Sequence, residues 1–516
     1  MTGAELLVET LLAAGVRHLF TLSGNQILPI YDATIGRDLA LVHTRHEAAA
    51  VHMADGWGRM TETPGIALVT AGPGHLNAVP ALYTALMAES PVVLLSGHAP
   101  RAQLGRGAFQ ELDQVGAARP VTKAAWLAEE PARLGEEVAR ALALARDWPP
   151  GPVHLSLPAD VLEARHPDDA RPGATRGRDV AGIADALIRQ ALDVLATAAR
   201  PLILVGPAMG RARRWVDVAG LAARTGLPAL LMESPRGVND PALRGAAACL
   251  GEADVVLLLG KRLDFSLRFG QSPPFAAGCR FVELPGDPSA AARQLTTGAA
   301  ERAWARGGWA KEVEAARRAE PAAWAELRGA SRRPIHPLQV CAALEPHVAA
   351  GGIFVSDGGE FGQWTQAGLA AESRLINGLS GSIGSGLPLG LGAQLAAPDR
   401  RVFVTLGDGT FGFHALELDT ALRHRLPVVA VVGNDARWNA EHQLQLRQYG
   451  PARAVGCDLL PSRYDRVAAA LGGHGEWVED PADLAPALAR AVRSGLPACI
   501  NVRIDGAPAP TFRASG

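Results

Sequence analysis

Short apolar runs, each closed by glycine or a turn, recur along the chain, and Ala-rich stretches of helical spacing separate them. Clear runs are Val92-Val93-Leu94-Leu95-Ser96, Val153-His154-Leu155-Ser156-Leu157 and Pro201-Leu202-Ile203-Leu204-Val205, the last ending at Gly206-Pro207. Others span Ala253 to Leu259, Arg401 to Leu406, Pro427 to Val432 and Ala498 to Val502. Strands alternating with helices predict doubly wound parallel sheets. A polar Pro/Gly/Arg stretch at about 165–182 reads as a linker, and Gly329-Ala330-Ser331-Arg332-Arg333-Pro334 reads as a hinge. The expected organisation is α/β throughout, with three domains at 1–165, 183–328 and 335–516. A length of 516 residues suits that number. The first and third blocks are candidates for a shared fold, although residue identities do not demonstrate it.

Composition narrows the partners. The chain is 48% hydrophobic and 20% charged, with a formal net charge of −2, so large cores are possible and nothing draws it to nucleic acid or an anionic membrane. The five cysteines (Cys249, Cys279, Cys341, Cys457 and Cys499) are scattered, with no CxxC, so neither a disulfide framework nor a zinc site is expected. The opening Met1-Thr2-Gly3-Ala4-Glu5 lacks a basic leader, and no apolar run approaches the roughly 18 residues of a membrane span. A cytoplasmic location is the expectation.

Chemistry concentrates at two strand ends. The run from Arg401 closes in Gly407-Asp408-Gly409-Thr410. A helix-like stretch (Gly412 to His424) follows, and the next strand closes in Gly433-Asn434-Asp435. One βαβ unit therefore brings a carboxylate and an amide to the carboxyl edge of a parallel sheet, where open α/β sheets bind ligands. Asp408 and Asn434 are hard oxygen donors suited to Mg²⁺, and the glycines let backbone N–H groups approach a phosphate. A plain Gly-Asp-Gly turn before a helix has the same spacing. Earlier in the chain, Glu47 stands before an apolar helix start, Ala48 to Val51, where a buried carboxylate needs a partner; a helix-start glutamate favoured by the macrodipole is the alternative.

Further motifs decide between these readings. They are Thr44-Arg45-His46-Glu47, Gly72-Pro73-Gly74-His75-Leu76-Asn77, Gly107-Ala108-Phe109-Gln110-Glu111, Asp357-Gly358-Gly359-Glu360-Phe361-Gly362-Gln363-Trp364 and Gly381-Ser382-Ile383-Gly384-Ser385-Gly386. In this order they resemble the acetolactate synthase-like family of thiamine diphosphate enzymes, whose members include benzaldehyde lyase and 2-hydroxyacyl-CoA lyase. The resemblance covers nearly the whole chain. It implies pyrimidine-binding, central and diphosphate-binding domains, with thiamine diphosphate and Mg²⁺ as cofactors. Glu47 then matches the glutamate that hydrogen-bonds N1′ of the aminopyrimidine, a task suited to a carboxyl group in an apolar pocket. Pro73 and Asn77 fall on the same side of the cofactor. Gly381 supplies a carbonyl to the 4′-amino group, Ser382 adjoins it, and Ile383 is the wedge that bends the cofactor. Gly407, Asp408, Gly409, Thr410 and Asn434 hold the diphosphate end. Asp408, Asn434 and the carbonyl of Ala436 ligate the metal. The resemblance also implies a homo-oligomer with each site at a subunit interface.

Some positions depart from the relatives. Where benzaldehyde lyase has a histidine, this chain has Gln26, preceded by Asn25; neither titrates, and both can orient a carbonyl. Gln110 matches an active-site glutamine of acetolactate synthases and acyl-CoA lyases. His75 stands where a small residue is usual and is a titratable candidate. Trp364, Trp438 and His442 are candidates to shape the substrate pocket. The short path from Pro235 to Ala253 argues against FAD. Lys261-Arg262-Leu263-Asp264-Phe265 reads as a surface loop, with anion binding as the alternative. The stretch after Val502 offers no obvious lid.

The expected activity is formation or cleavage of a C–C bond beside a carbonyl, acetolactate synthase-like, on a small 2-oxo acid. Alternatives are a benzaldehyde lyase-like or 2-hydroxyacyl-CoA lyase-like enzyme taking an aldehyde or acyl-CoA, and a thiamine diphosphate-binding protein without catalysis.

Overall fold

The computed structural model describes residues 1–166, 171–174, 182–304 and 308–512. Of the expected linker, residues 167–170 and 175–181 lie outside the described residues. Three parallel sheets organise the chain. The first contains β1 (His18–Thr21), β2 (Ala40–His43), β3 (Gly65–Val69), β4 (Val92–His98), β5 (Ala124–Leu127) and β6 (Val153–Pro158), in spatial order β2-β1-β3-β4-β6-β5. The second contains β7 (Pro201–Val205), β8 (Ala229–Leu231), β9 (Val255–Leu259) and β10 (Arg280–Glu283), in order β10-β9-β7-β8. The third contains β11 (Ile353–Ser356), β12 (Arg374–Ile376), β13 (Val402–Gly407), β14 (Val429–Asn434), β15 (His474–Val478) and β16 (Ala498–Arg503), in order β12-β11-β13-β14-β16-β15.

The first and third sheets thus run in the same order, with every pair parallel, although their sequences do not visibly repeat. Their central strands are apolar on both faces because helices cover both. Alternate residues of β4 point to different cores: Val93 and Leu95 to one, Val92 and Leu94 to the other. β13 divides likewise, with Phe403 on one side and Val402 and Val404 on the other. The inner faces of the first and third sheets share one core, in which Phe20, Met53 and Leu82 meet Leu387, Leu389 and Phe411.

Two helices cross inside that shared core, Glu47–Thr61 and Gly386–Ala396. Their backbones nearly touch. A Cβ on Gly56 would lie 2.3 Å from the Leu389 carbonyl oxygen, and one on Gly392 would lie 2.1 Å from that of Met53. Only glycine permits this approach. The same crossing carries a buried ion pair. Arg59 Nε and Nη2 donate to the two Asp55 carboxylate oxygens at 2.7 and 2.6 Å, and Nη1 donates to the Ile376 carbonyl at the end of β12. Burial alone would raise the Asp55 carboxyl, but the Arg59 charge and hydrogen bonds outweigh it and hold the carboxyl below its usual range.

Candidate active site

β13 ends at Gly407, and a helix, Asp408–His414, begins at once. The Gly-Asp-Gly segment is therefore the first helical turn, and not a turn preceding a helix at Gly412 as the sequence suggested. A second helix, Glu417–Arg423, follows after a break at Ala415-Leu416. The N–H groups of a first turn have no partner inside the helix. Those of Asp408, Gly409 and Thr410 consequently stand at the sheet edge, next to the end of β14.

Asp408 is buried, and its Oδ2 has no hydrogen-bond partner. Burial pushes its carboxyl up to about 6. Asp435, next to the strand end, is pushed up to about 7 by burial first and by the Asp408 charge second. Asn434 is fully buried beneath them. Its Nδ2 donates to Ser462 O and Asn501 Oδ1, and its Oδ1 accepts from the Ala436 N–H at 3.2 Å. Ala436 has a left-handed backbone, φ 57°, and its carbonyl accepts from the Leu459 N–H. Among the described residues no group of three or more His, Cys, Asp or Glu side chains could hold a metal. The donors available here are instead carboxylate, amide and backbone carbonyl oxygens, the set a hard cation takes. An orphaned carboxylate oxygen and two carboxyls raised by burial fit such a cation, whose charge would offset both costs.

Above this floor lies a cavity of about 310 Å³. Of the expected cofactor residues, Gly381, Ile383, Gly407, Asp408, Gly409 and Thr410 line it. Ser382 turns its carbonyl to Asn377 Nδ2 at 2.8 Å. Ile383 is half-buried and fits because Gly358 has no side chain; a Cβ there would lie 2.8 Å from Ile383 Cγ2. Asp357 pins this loop from below, accepting from the N–H groups of Gly358, Gly384 and Gly386. Burial raises Asp357 to about 6 against the pull of those three donors.

The cavity is also lined by Asp435, Glu360, Asn439, Glu441 and Arg236, the last from the second domain, none of them among the expected site residues. Asp435 was detectable as the neighbour of Asn434. Arg236 was not, because it arrives from another domain. Trp438 lines the cavity as expected of a pocket residue, whereas Trp364 does not. It packs against Trp324 and His336 and donates from Nε1 to the Ala507 carbonyl. His442 lies on the helix Asn439–Tyr449, half-buried and outside the lining.

Residues 503–512, in a stretch that offers no obvious lid in the sequence, wrap the third domain beside the cavity. Besides Ala507 on Trp364, the Ala509 N–H donates to the cavity-lining Glu360, Gly506 O accepts from Gln443, and Phe512 meets Trp324 edge-on.

The first-domain candidates form their own group. Glu47 opens its helix and is 8% exposed. Asn77 Nδ2, on the helix Pro73–Met87, donates to Glu47 Oε2 at 3.1 Å. The turn before Glu47 is fixed from the third domain, where both oxygens of Glu417 accept from the Arg45 N–H. Gln26 accepts from the Thr70 hydroxyl at 2.5 Å, Asn25 is exposed at the start of a single 3-10 turn, and Gln110 is held at φ 59° beside exposed Phe109. None of these lines the cavity of its own chain.

Two sequence expectations are corrected. His75 does not face a site: it is fully buried, with Nδ1 against the Ser96 hydroxyl at 2.8 Å and its ring on His154 at 4.5 Å. Burial holds its pKa down at about 4, so it stays neutral. The Lys261–Phe265 segment is a surface loop at Arg262 and Phe265, but Lys261 itself is buried and paired with Asp264 at 2.7 Å.

Three family models match this architecture block by block. "Thiamine pyrophosphate enzyme, N-terminal TPP binding domain" covers residues 1–117, the central-domain model covers 188–300, and the C-terminal TPP binding domain model covers 357–502. An acetolactate synthase large subunit of Mycobacterium tuberculosis is 37% identical, over 98% of this chain and 96% of its own length. The human 2-hydroxyacyl-CoA lyase 2 is 30% identical, over 92% of this chain and 84% of its own length. An acetolactate synthase large subunit of Parasynechococcus marenigrum is 31% identical, over 98% and 88%. With its three parallel sheets, its strand-edge acid and amide and its full-length likeness to these proteins, the chain belongs to the thiamine pyrophosphate-dependent enzymes.

Proposed function

We propose that this enzyme uses thiamine diphosphate with Mg²⁺ to form or cleave C–C bonds beside the carbonyl of a small 2-oxo acid, acting as a cytoplasmic homo-oligomer. The observation that carries this reading is the split of the site. The cavity over Asp408 is walled by the second and third domains, while the Glu47–Asn77 pair sits in the first and does not line it. A second copy of the chain would bring its Glu47 to this cavity. The exposed stripe Pro73, Leu76, Asn77, Pro80 and Tyr83 on the helix beside Glu47 is a surface for such a contact, as are exposed Phe413 and Leu416. The five cysteines are free, which suits a reducing compartment. No helix among the described residues is long and apolar enough to cross a membrane.

Asp408, Asn434 and the Ala436 carbonyl would hold Mg²⁺, and the first-turn N–H groups after Gly407 would take the diphosphate. When bound, the cofactor supplies a nucleophilic carbon that also accepts the electron pair of the breaking bond. The protein's part would be placement: Glu47 would hold a proton at the pyrimidine ring, Ile383 and Gly381 would support the cofactor from the cavity wall, and Gln26, Asn25 and Gln110 would orient a carbonyl. Acetolactate synthases among the relatives favour a 2-oxo acid over an acyl-CoA. A non-catalytic binding protein would not need the buried acid at Glu47.

Turnover of pyruvate, benzoin and a 2-hydroxyacyl-CoA by protein supplied with both cofactors tests the substrate class. Pyruvate is expected to react; inert pyruvate with rapid aldehyde ligation or acyl-CoA cleavage would move the enzyme to the lyase class. Asp408→Ala is expected to weaken Mg²⁺-dependent cofactor affinity by about 100-fold or more, since even outer-shell changes cost about 10–100-fold. Calorimetric titration with and without Mg²⁺ reads this, and unaltered affinity would refute the ligand assignment.

A further inference from the structure

The loop from Asn377 to Gly384 carries Gly381 and Ile383 into the cavity without any regular secondary structure of its own. Gly378, Gly381 and Gly384 are all left-handed, with φ of 79°, 66° and 88°. Such a segment has no ladder to hold its shape and depends on side-chain ties. Beyond the local bond from the Ser382 N–H to Ser380 Oγ, four residues tie it. Arg59 holds the Ile376 carbonyl, Asn377 holds the Ser382 carbonyl, Asp357 holds the Gly384 and Gly386 N–H groups, and His414 Nδ1 lies 2.7 Å from the Gly384 carbonyl. A carbonyl only accepts, so His414 carries its proton on Nδ1.

His414 differs from the other three in where it starts. It is the last residue of the helix that begins with Asp408. One short rigid element therefore has the metal-facing carboxylate at its head and the loop's anchor at its tail. The far side of the His414 ring is braced by the first domain, with His46 and His52 edge-on, each at 5.8 Å. His46 caps the helix of Glu47, its Nδ1 accepting from the Ala48 N–H. Burial, and then the neighbouring His46, keep His414 below the usual histidine range against the upward pull of its Gly384 bond, so the ring is neutral at pH 7.

We propose that His414 is a positioning residue: by tying Gly384 to the Asp408 helix it sets the spacing between the first-turn N–H groups that would hold the diphosphate and the Ile383 side chain that would support the rest of the cofactor. This rests on the functional reading above and deepens it. A tie of this kind acts on geometry at the reacting end more than on folding, because the rest of the loop is pinned elsewhere.

The test compares His414→Ala with His414→Asn, whose side-chain amide restores a donor, in full-length protein. Three quantities are read: the thermal midpoint without cofactor, the affinity for thiamine diphosphate with Mg²⁺ by calorimetry, and the exchange of the bound cofactor's C2 proton by NMR. His414→Ala is expected to shift the midpoint by less than about 4 °C. It should weaken cofactor binding about tenfold, the worth of one hydrogen bond, and slow C2 exchange about tenfold in the saturated protein. His414→Asn should return both to within about threefold of the wild type, below the value of a single bond. If wild-type exchange and affinity persist in His414→Ala, or if both variants merely lose thermal stability with normal exchange once saturated, the positioning role is overturned. A wild-type protein that binds no thiamine diphosphate would overturn the functional reading, and this inference with it.

Discussion

Glu47→Gln will leave binding of thiamine diphosphate and Mg²⁺ within a few-fold of the wild type and will slow C2 proton exchange by about 10²–10⁴-fold, the usual worth of a positioned acid–base group. The substitution is close to isosteric. Asn77 now donates to one Glu47 oxygen, and a glutamine carbonyl can accept that bond unchanged. The helix start is secured independently, by the His46 cap and by Glu417 on the Arg45 N–H, so the backbone has no reason to move. What disappears is the ability to hold a proton at the pyrimidine ring. Binding by calorimetry and exchange by NMR, measured on the same preparation, separate the two effects. Undiminished exchange would remove Glu47 from the mechanism.

Arg59→Met will destabilise the protein by about 3–5 kcal/mol, the cost of leaving a buried charge without its partner. Asp55 is completely buried, and both its oxygens are taken by Arg59, so no water is at hand to replace the guanidinium. Losing the arginine also strips the Ile376 carbonyl of its donor. The double variant Asp55→Asn with Arg59→Met removes the charge as well and is expected to recover at least half of the loss, because an apolar or neutral pair often matches a buried ion pair. Chemical denaturation of the three variants measures this. A loss below about 1 kcal/mol for Arg59→Met, the range of an exposed pair, would show that the bridge is solvated.

Much of the fold was legible because the central strands β4, β6, β7, β9, β13, β14 and β16 are apolar runs, a purely local signal, whereas short or polar strands such as β10 (Arg280–Glu283) and β15 (His474–Val478) carry no such mark. The matching strand order of the first and third sheets was not legible, since topology can repeat where residues do not. Within the site, Asp408 and Asn434 could be read from spacing along one βαβ unit. His75 misled for the opposite reason. It follows Gly72-Pro73-Gly74 at the start of the helix Pro73–Met87, but the ring it packs on, His154, is on a strand far along the chain. Lys261 reads as exposed because its segment is polar, and its burial beside Asp264 comes from packing that a local pattern does not mark. His414 carried no local sign at all, as its acceptor is a backbone carbonyl, which no sequence pattern marks.

The glycine-to-carbonyl approach of the Glu47 and Gly386 helices leaves no slack for sliding or rocking. With Gly56 on Leu389 and Gly392 on Met53, the outer two modules are fastened into a single solid block. Whatever admits a bulky, charged coenzyme must therefore yield elsewhere. Outside that crossing, the cavity is walled by the Ser234–Arg236 edge contributed by the middle module and by Glu360, which residues 503–512 reach through the Ala509 N–H.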